Sequence, residues 1–103
     1  MASTKSYLDF IMEQLPAAAS SRAMMGEYVL YFRGRVFGGI YDDRLLVKPV
    51  PAALEKIPDA PREIPYPGAK EMLLVEEVED REFLQELLEA MFGELPEPKT
   101  KNR

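Results

Sequence analysis

The chain has 103 residues, 47% of them hydrophobic and 10% aromatic, and a formal net charge of −5, which is enough for one compact core and too little length for two ordinary domains. It contains neither cysteine nor histidine; disulfides, thiolate and imidazole metal sites, a cysteine nucleophile and a histidine base are therefore excluded. No apolar run approaches the ~18 residues of a membrane span, and MASTKSYLDFIMEQL lacks the regions of a signal peptide, so a cytoplasmic protein with no membrane partner is expected.

The first element is a helix capped by Ser3 or Thr4 and running to Leu15, where Pro16 stops it. Leu8, Ile11, Met12 and Leu15 recur at helical spacing as its core-facing stripe. Strand patterning takes over from Arg22 to Lys48. Arg33-Gly34 and Asp42-Asp43 stand between β-rich runs as two-residue hairpin loops, and a short strand from Arg22 to Met25, broken at Gly26, completes a four-stranded antiparallel meander.

If both loops hold two residues, Tyr28 faces Gly39, Leu30 faces Phe37, and Gly39 faces Leu46. One face then carries Tyr28, Leu30, Phe32, Phe37, Gly39, Tyr41, Arg44, Leu46 and Lys48. The other carries Val29, Tyr31, Val36, Gly38, Ile40, Leu45 and Val47 as an aliphatic core. Gly39 is the gap over which the Tyr28 ring lies, and the Gly38-Gly39 pair permits a bulge or sharp coiling of the central strand. FGGIYDD has neither the Lys-Ser/Thr of a phosphate loop nor the three spaced glycines of a dinucleotide loop.

A short helix follows from Pro51 to Ile57, closed by Pro58, and then a proline-rich crossing loop with at most edge-strand pairing around Glu63 to Tyr66. Met72 to Val75 form one further strand. Asp80 caps the last helix, in which Phe83, Leu84, Leu87, Leu88 and Met91 face the core and which Gly93 ends. The fold class is α+β: two layers, an antiparallel sheet of a four-strand meander plus one strand, with N-terminal and C-terminal helices. Residues 1–95 form a single domain and 96–103 a frayed tail.

No catalytic constellation is present. Asp42 and Asp43 sit on a tight turn where their carboxylates diverge, Ser20 and Ser21 have no histidine partner, and Lys48 has no desolvating pocket. Neither a cofactor site nor a metal site is expected. What remains is a surface. Tyr28, Phe32, Phe37, Tyr41, Arg44 and Lys48 form a candidate interaction face, with Arg22, Arg33 and Arg35 as candidate basic contacts. Two readings compete: a patch for a protein partner or a second copy, or a basic and aromatic face for nucleic acid. Charge weighs against the second, since nine acids stand against Arg81 between Glu76 and Pro98. The first predicts that Phe37→Ser or Tyr41→Ser removes an association and leaves the fold intact.

MMGEYVLYFRGRVFGGIYDDRLLVKP resembles the N-terminal domain of the TfoX/Sxy family, bacterial regulators of competence. Met24, Gly26, Tyr28, Leu30 and Tyr31 match the first half of the family pattern, and Asp42, Arg44, Leu45 and Lys48 the second. Met25, Glu27 and Val29 replace the family's Phe, Gly and Gly, and the helical C-terminal domain of full-length members is not among these residues. The resemblance implies a two-layer fold similar to secretion-chaperone-like domains, no catalytic residues, and a role in transcriptional regulation of competence beside the cyclic-AMP receptor protein. The expectation is a non-enzymatic accessory or regulatory interaction domain whose partner is a transcription regulator or a second copy, with direct nucleic-acid binding as the alternative.

Overall fold

A computed structural model describes residues 3–96. Helix α1 spans Lys5–Gln14, with the Thr4 hydroxyl accepting from the Tyr7 amide and Leu15 as the last cap. Strands β1 (Ala19–Met24), β2 (Glu27–Phe32), β3 (Arg35–Ile40) and β4 (Leu45–Val47) make the meander. Helix α2 (Pro51–Lys56), strands β5 (Arg62–Glu63) and β6 (Met72–Leu74), and helix α3 (Arg81–Phe92) complete the chain. The sheet is antiparallel in the order β1-β2-β3-β4-β6-β5. The expected α+β architecture is present, with β5 as an added edge strand at Arg62–Glu63. β1 starts three residues earlier than expected, at Ala19.

The three tight turns follow from their residues. Met25-Gly26, Arg33-Gly34 and Asp42-Asp43 all have positive φ at both central positions, the backbone of a two-residue hairpin whose twist matches its strands. Asp tolerates this conformation better than most side chains, and Tyr41 and Arg44 close the last turn with reciprocal backbone bonds of 3.0 and 3.1 Å.

Between turns the register departs from the expected one. Phe32 pairs with Arg35 and Tyr31 with Val36, but Leu30 then pairs with Gly38, Val29 with Gly39 and Tyr28 with Ile40. Phe37 is the extra residue of a β-bulge, so the expected pairs Tyr28–Gly39 and Leu30–Phe37 do not form, whereas Gly39–Leu46 does. The glycines explain where the bulge falls. A Cβ on Gly38 would stand 2.0 Å from the Leu46 carbonyl oxygen, and one on Gly39 2.6 Å from both the Tyr28 carbonyl oxygen and the Tyr41 ring. The ring lying over Gly39 is thus that of Tyr41; Tyr28 approaches Gly39 through its backbone carbonyl and not through its ring.

One extra residue inverts every side chain beyond it. Tyr28, Leu30, Phe32 and Phe37 now share a face with Ile40, Leu45 and Val47, and this is the face that the helices cover. Leu8, Ile11 and Leu15 of α1, Ala53 and Ile57 at α2, and Leu84, Leu87, Leu88 and Met91 of α3 pack there into one core. At about 1.5–3 kcal/mol for each large side chain removed from water, this layer dominates the stabilisation. Met12 and Phe83, assigned to the helical stripes, are only partly buried at its margin.

Candidate functional site

The residues expected to form one interaction face are distributed over both sides of the sheet. Phe32 and Phe37 are each 1% exposed in the core; Phe32 meets the Phe92 ring edge-on at 5.9 Å, and Tyr28 packs half-buried against the same cluster. These rings belong to the fold and are not offered to a partner. Tyr41, Arg44 and Lys48 lie on the outer face, opposite the helices, because the bulge has turned them over.

The basic residues have work within the fold. Arg35 donates to the Phe92 and Leu95 carbonyls at 3.1 and 3.3 Å and stacks on the Phe92 ring at 4.4 Å. Helix α3 ends at Gly93 in right-handed geometry (φ −66°); the Glu94 and Leu95 amides bond the Met91 and Phe92 carbonyls, and the Arg35 guanidinium adds donors and a favourable charge there. Arg33 pairs with Glu89 at 3.0 Å and lies over the Phe32 and Phe92 rings. At the other end of β3, Arg44 binds the Glu63 carboxylate and the Tyr41 carbonyl. Arg22 is exposed on β1. The expected basic strip is therefore divided between the two ends of the sheet, with Arg33, Arg35 and Arg44 engaged by the chain itself.

The outer face has a covered half and an open half. Over β3, β4 and β6 the proline-rich loop folds back: Pro65 is buried, Tyr66 lies 6.1 Å from the Tyr41 ring, and Leu46 beneath is wholly buried. A cleft remains between this loop and the sheet, lined by Val36, Tyr41, Lys48, Tyr66, Lys70 and Met72 among others. Burial raises the Tyr41 hydroxyl above its ordinary proton affinity, with Tyr66 and Glu27 adding to the effect; burial and then Asp43 raise Tyr7. Toward β1 no loop among the described residues covers the sheet, and Val29 and Tyr31 stand half-buried beside exposed Arg22 and Ser20, with half-buried Val36 between them and the cleft.

Sequence reasoning missed a polar latch at the other end of the strands. The Ser3 hydroxyl donates to Glu27 Oε1 at 2.6 Å and accepts from the Asp43 amide at 3.0 Å. Glu27 Oε1 also accepts from the Asp42 amide, and Asp43 Oδ1 from the Thr4 amide at 2.8 Å. The latch ties the start of α1 to two hairpin turns. Its partners are 15 to 40 residues apart in sequence, so no local spacing announces them.

No group of three or more acidic residues among the described ones is placed to hold a metal ion, and no described helix is long and apolar enough to cross a membrane. The profile of the TfoX N-terminal domain matches residues 12–93. A protein of Spirochaeta aurantia, described as an uncharacterized 12.7 kDa protein in the trpE 5′ region, is 36% identical over 102 residues, covering 96% of this chain and 89% of that one. No solved structure matches the chain.

Proposed function

This chain belongs to the TfoX N-terminal domain family, and we propose that it works without catalysis, as an accessory module that docks a protein partner on the open half of its outer sheet face. The observation that carries this is the row of Val29 and Tyr31, continued by Val36 at the margin of the cleft, half-buried on a face that the described residues cover only over its other half. Covering that row would stabilise a complex by about 25 cal/mol for each Å² of apolar surface removed from water. Charge adds direction. The outer face carries Arg22 and Lys48 besides the Arg44 that Glu63 already pairs, while the acidic run from Glu76 lies along α3 and the segment before it, so the fitting partner has an apolar patch bordered by carboxylates. The setting is the one the family resemblance implies, transcriptional regulation in competence, with a transcription regulator as partner. The non-catalytic part draws on burial: no Asp, Glu, Lys or Arg side chain among the described residues is buried, and burial of the Tyr41 hydroxyl makes it hold its proton more tightly, the opposite of what a base needs.

The test is capture of the tagged chain from lysate of its own cells after nuclease, run beside a Tyr31→Glu variant whose melting temperature is shown to be unchanged. The expected result is a protein kept by the wild type and lost by the variant. Retention of nucleic acid alone, or of the same partner by both chains, contradicts the proposal.

A further inference from the structure

The sheet has two edges, and they are built differently. β5 is two residues long and lies between Pro61 and Pro65, so little backbone is left there for another strand to pair with. β1 has six residues without proline or bulge, five of them exposed, and among the described strands it pairs only with β2. Its free groups follow from the turn. Met24 and Glu27 close the Met25-Gly26 hairpin, so Met24, Arg22 and Ser20 bond inward to β2 and the backbone of Ser21 and Ala23 points away. The bond from the Arg33 amide to the Ala18 carbonyl continues the same alternation. At Ala19 the outward amide is already used by the Pro16 carbonyl.

We propose that β1 is the pairing edge for a second copy of this chain, joined antiparallel about a two-fold axis at Ser21. Only outward-facing residues can form the hydrogen-bonded pairs of the new ladder, which restricts the symmetric alignments, and charge chooses among them. Alignment on Arg22 would set Ser21 against the partner's Ala23 but bring the two guanidinium groups directly opposite each other, an unfavourable cross-strand pair. Alignment on Ser21 places Arg22 opposite Ser20 and Ala19 opposite Ala23. Ser21 amides and carbonyls exchange bonds across the axis, and each Ala23 amide donates to an Ala19 carbonyl. Past the strand the chain turns at Ala17-Ala18 and at Met25-Gly26, so the ladder ends there, with Met24 and Met25, 48% and 96% exposed, at the same end of the shared edge as the other copy's exposed Ala17-Ala18 turn. The two-fold consumes both β1 edges, so assembly stops at two. A single strand pair is below the area of a stable interface, roughly 1,200–2,000 Å², and the dimer is accordingly weak and concentration-dependent. It uses the edge of the sheet and is independent of partner docking on the face.

The experiment combines sedimentation over a concentration series with cysteine cross-linking, which the cysteine-free chain makes unambiguous. A hydrogen-bonded antiparallel pair holds its Cα atoms about 5.5 Å apart, within disulfide range. The expected results are reversible dimerisation of the wild type, its loss in Ser21→Pro, which removes the outward amide, and efficient intermolecular disulfide formation by Ser21→Cys but not Arg22→Cys. A wild type that stays monomeric into the hundred-micromolar range overturns the inference, as does a dimer that Ser21→Pro leaves intact or that Arg22→Cys cross-links in preference to Ser21→Cys.

Discussion

On the helix side of the sheet Leu30, Phe32, Phe37, Ile40, Leu45 and Val47 are sealed, each 1% exposed or less. On the outer side Val29, Tyr31 and Val36, similar residue types on the same strands, keep part of their surface in water. Hydrophobicity does not separate these sets. What separates them is the cover each receives, three helices on one side and a proline-rich loop of limited reach on the other, together with the bulge at Phe37 that decides which residues go where. An apolar strand residue in this fold is thus a statement about the sheet, and becomes a statement about the core only when the register is known.

The bulge is the position most sensitive to substitution. Gly38→Ala drives a methyl group into the β4 backbone, and a loss of about 5 kcal/mol or more, visible as failure to fold in urea titration, is expected. Phe37→Ser, read from sequence as a surface change, removes a core ring and is expected to cost about 3–5 kcal/mol by the same measurement. Tyr31→Ser, the matching change on the open half, is expected to stay within about 1 kcal/mol.

A pH titration sharpens the covered half. Tyr41 has its proton affinity raised by burial, then by Tyr66 and Glu27, so the folded state holds the proton more tightly than the unfolded chain does. Its contribution to stability is complete below the unfolded value near pH 10 and is lost as pH rises through the higher folded value. Urea midpoints measured from pH 8 to 11 should fall above about pH 10 in the wild type and fall less in Tyr41→Phe, which cannot ionise.

Much of the fold was legible because its signals are local. Thr4 and Asp80 each cap the helix that follows, Arg33-Gly34 and Asp42-Asp43 form the turns assigned to them, and the leucine spacing of α3 marks its buried side. The Gly38-Gly39 pair announced that a bulge was permitted but not that Phe37 would be the residue displaced, since that depends on how closely β3 approaches Leu46. The bulge moves Tyr41 to the outer face, while Tyr28, Phe32 and Phe37 share a face in either register and become core because the helices cover it. Arg22 is exposed as expected, but the engagement of Arg35 could not be read locally, since the end of α3 that it binds lies 57 residues away or more.

The most direct test uses Val36 and Val47, which an unbulged meander puts on one face and this structure puts on opposite faces. Single cysteines at the two positions of the cysteine-free chain are labelled with a maleimide under native conditions, Val→Cys being a small change in volume. The account predicts slow but direct labelling of Val36→Cys, and labelling of Val47→Cys only through global unfolding, at a rate that tracks its urea stability. Equal protection of both thiols, or faster reaction at Val47→Cys, would contradict the bulged register and the division of the sheet that rests on it.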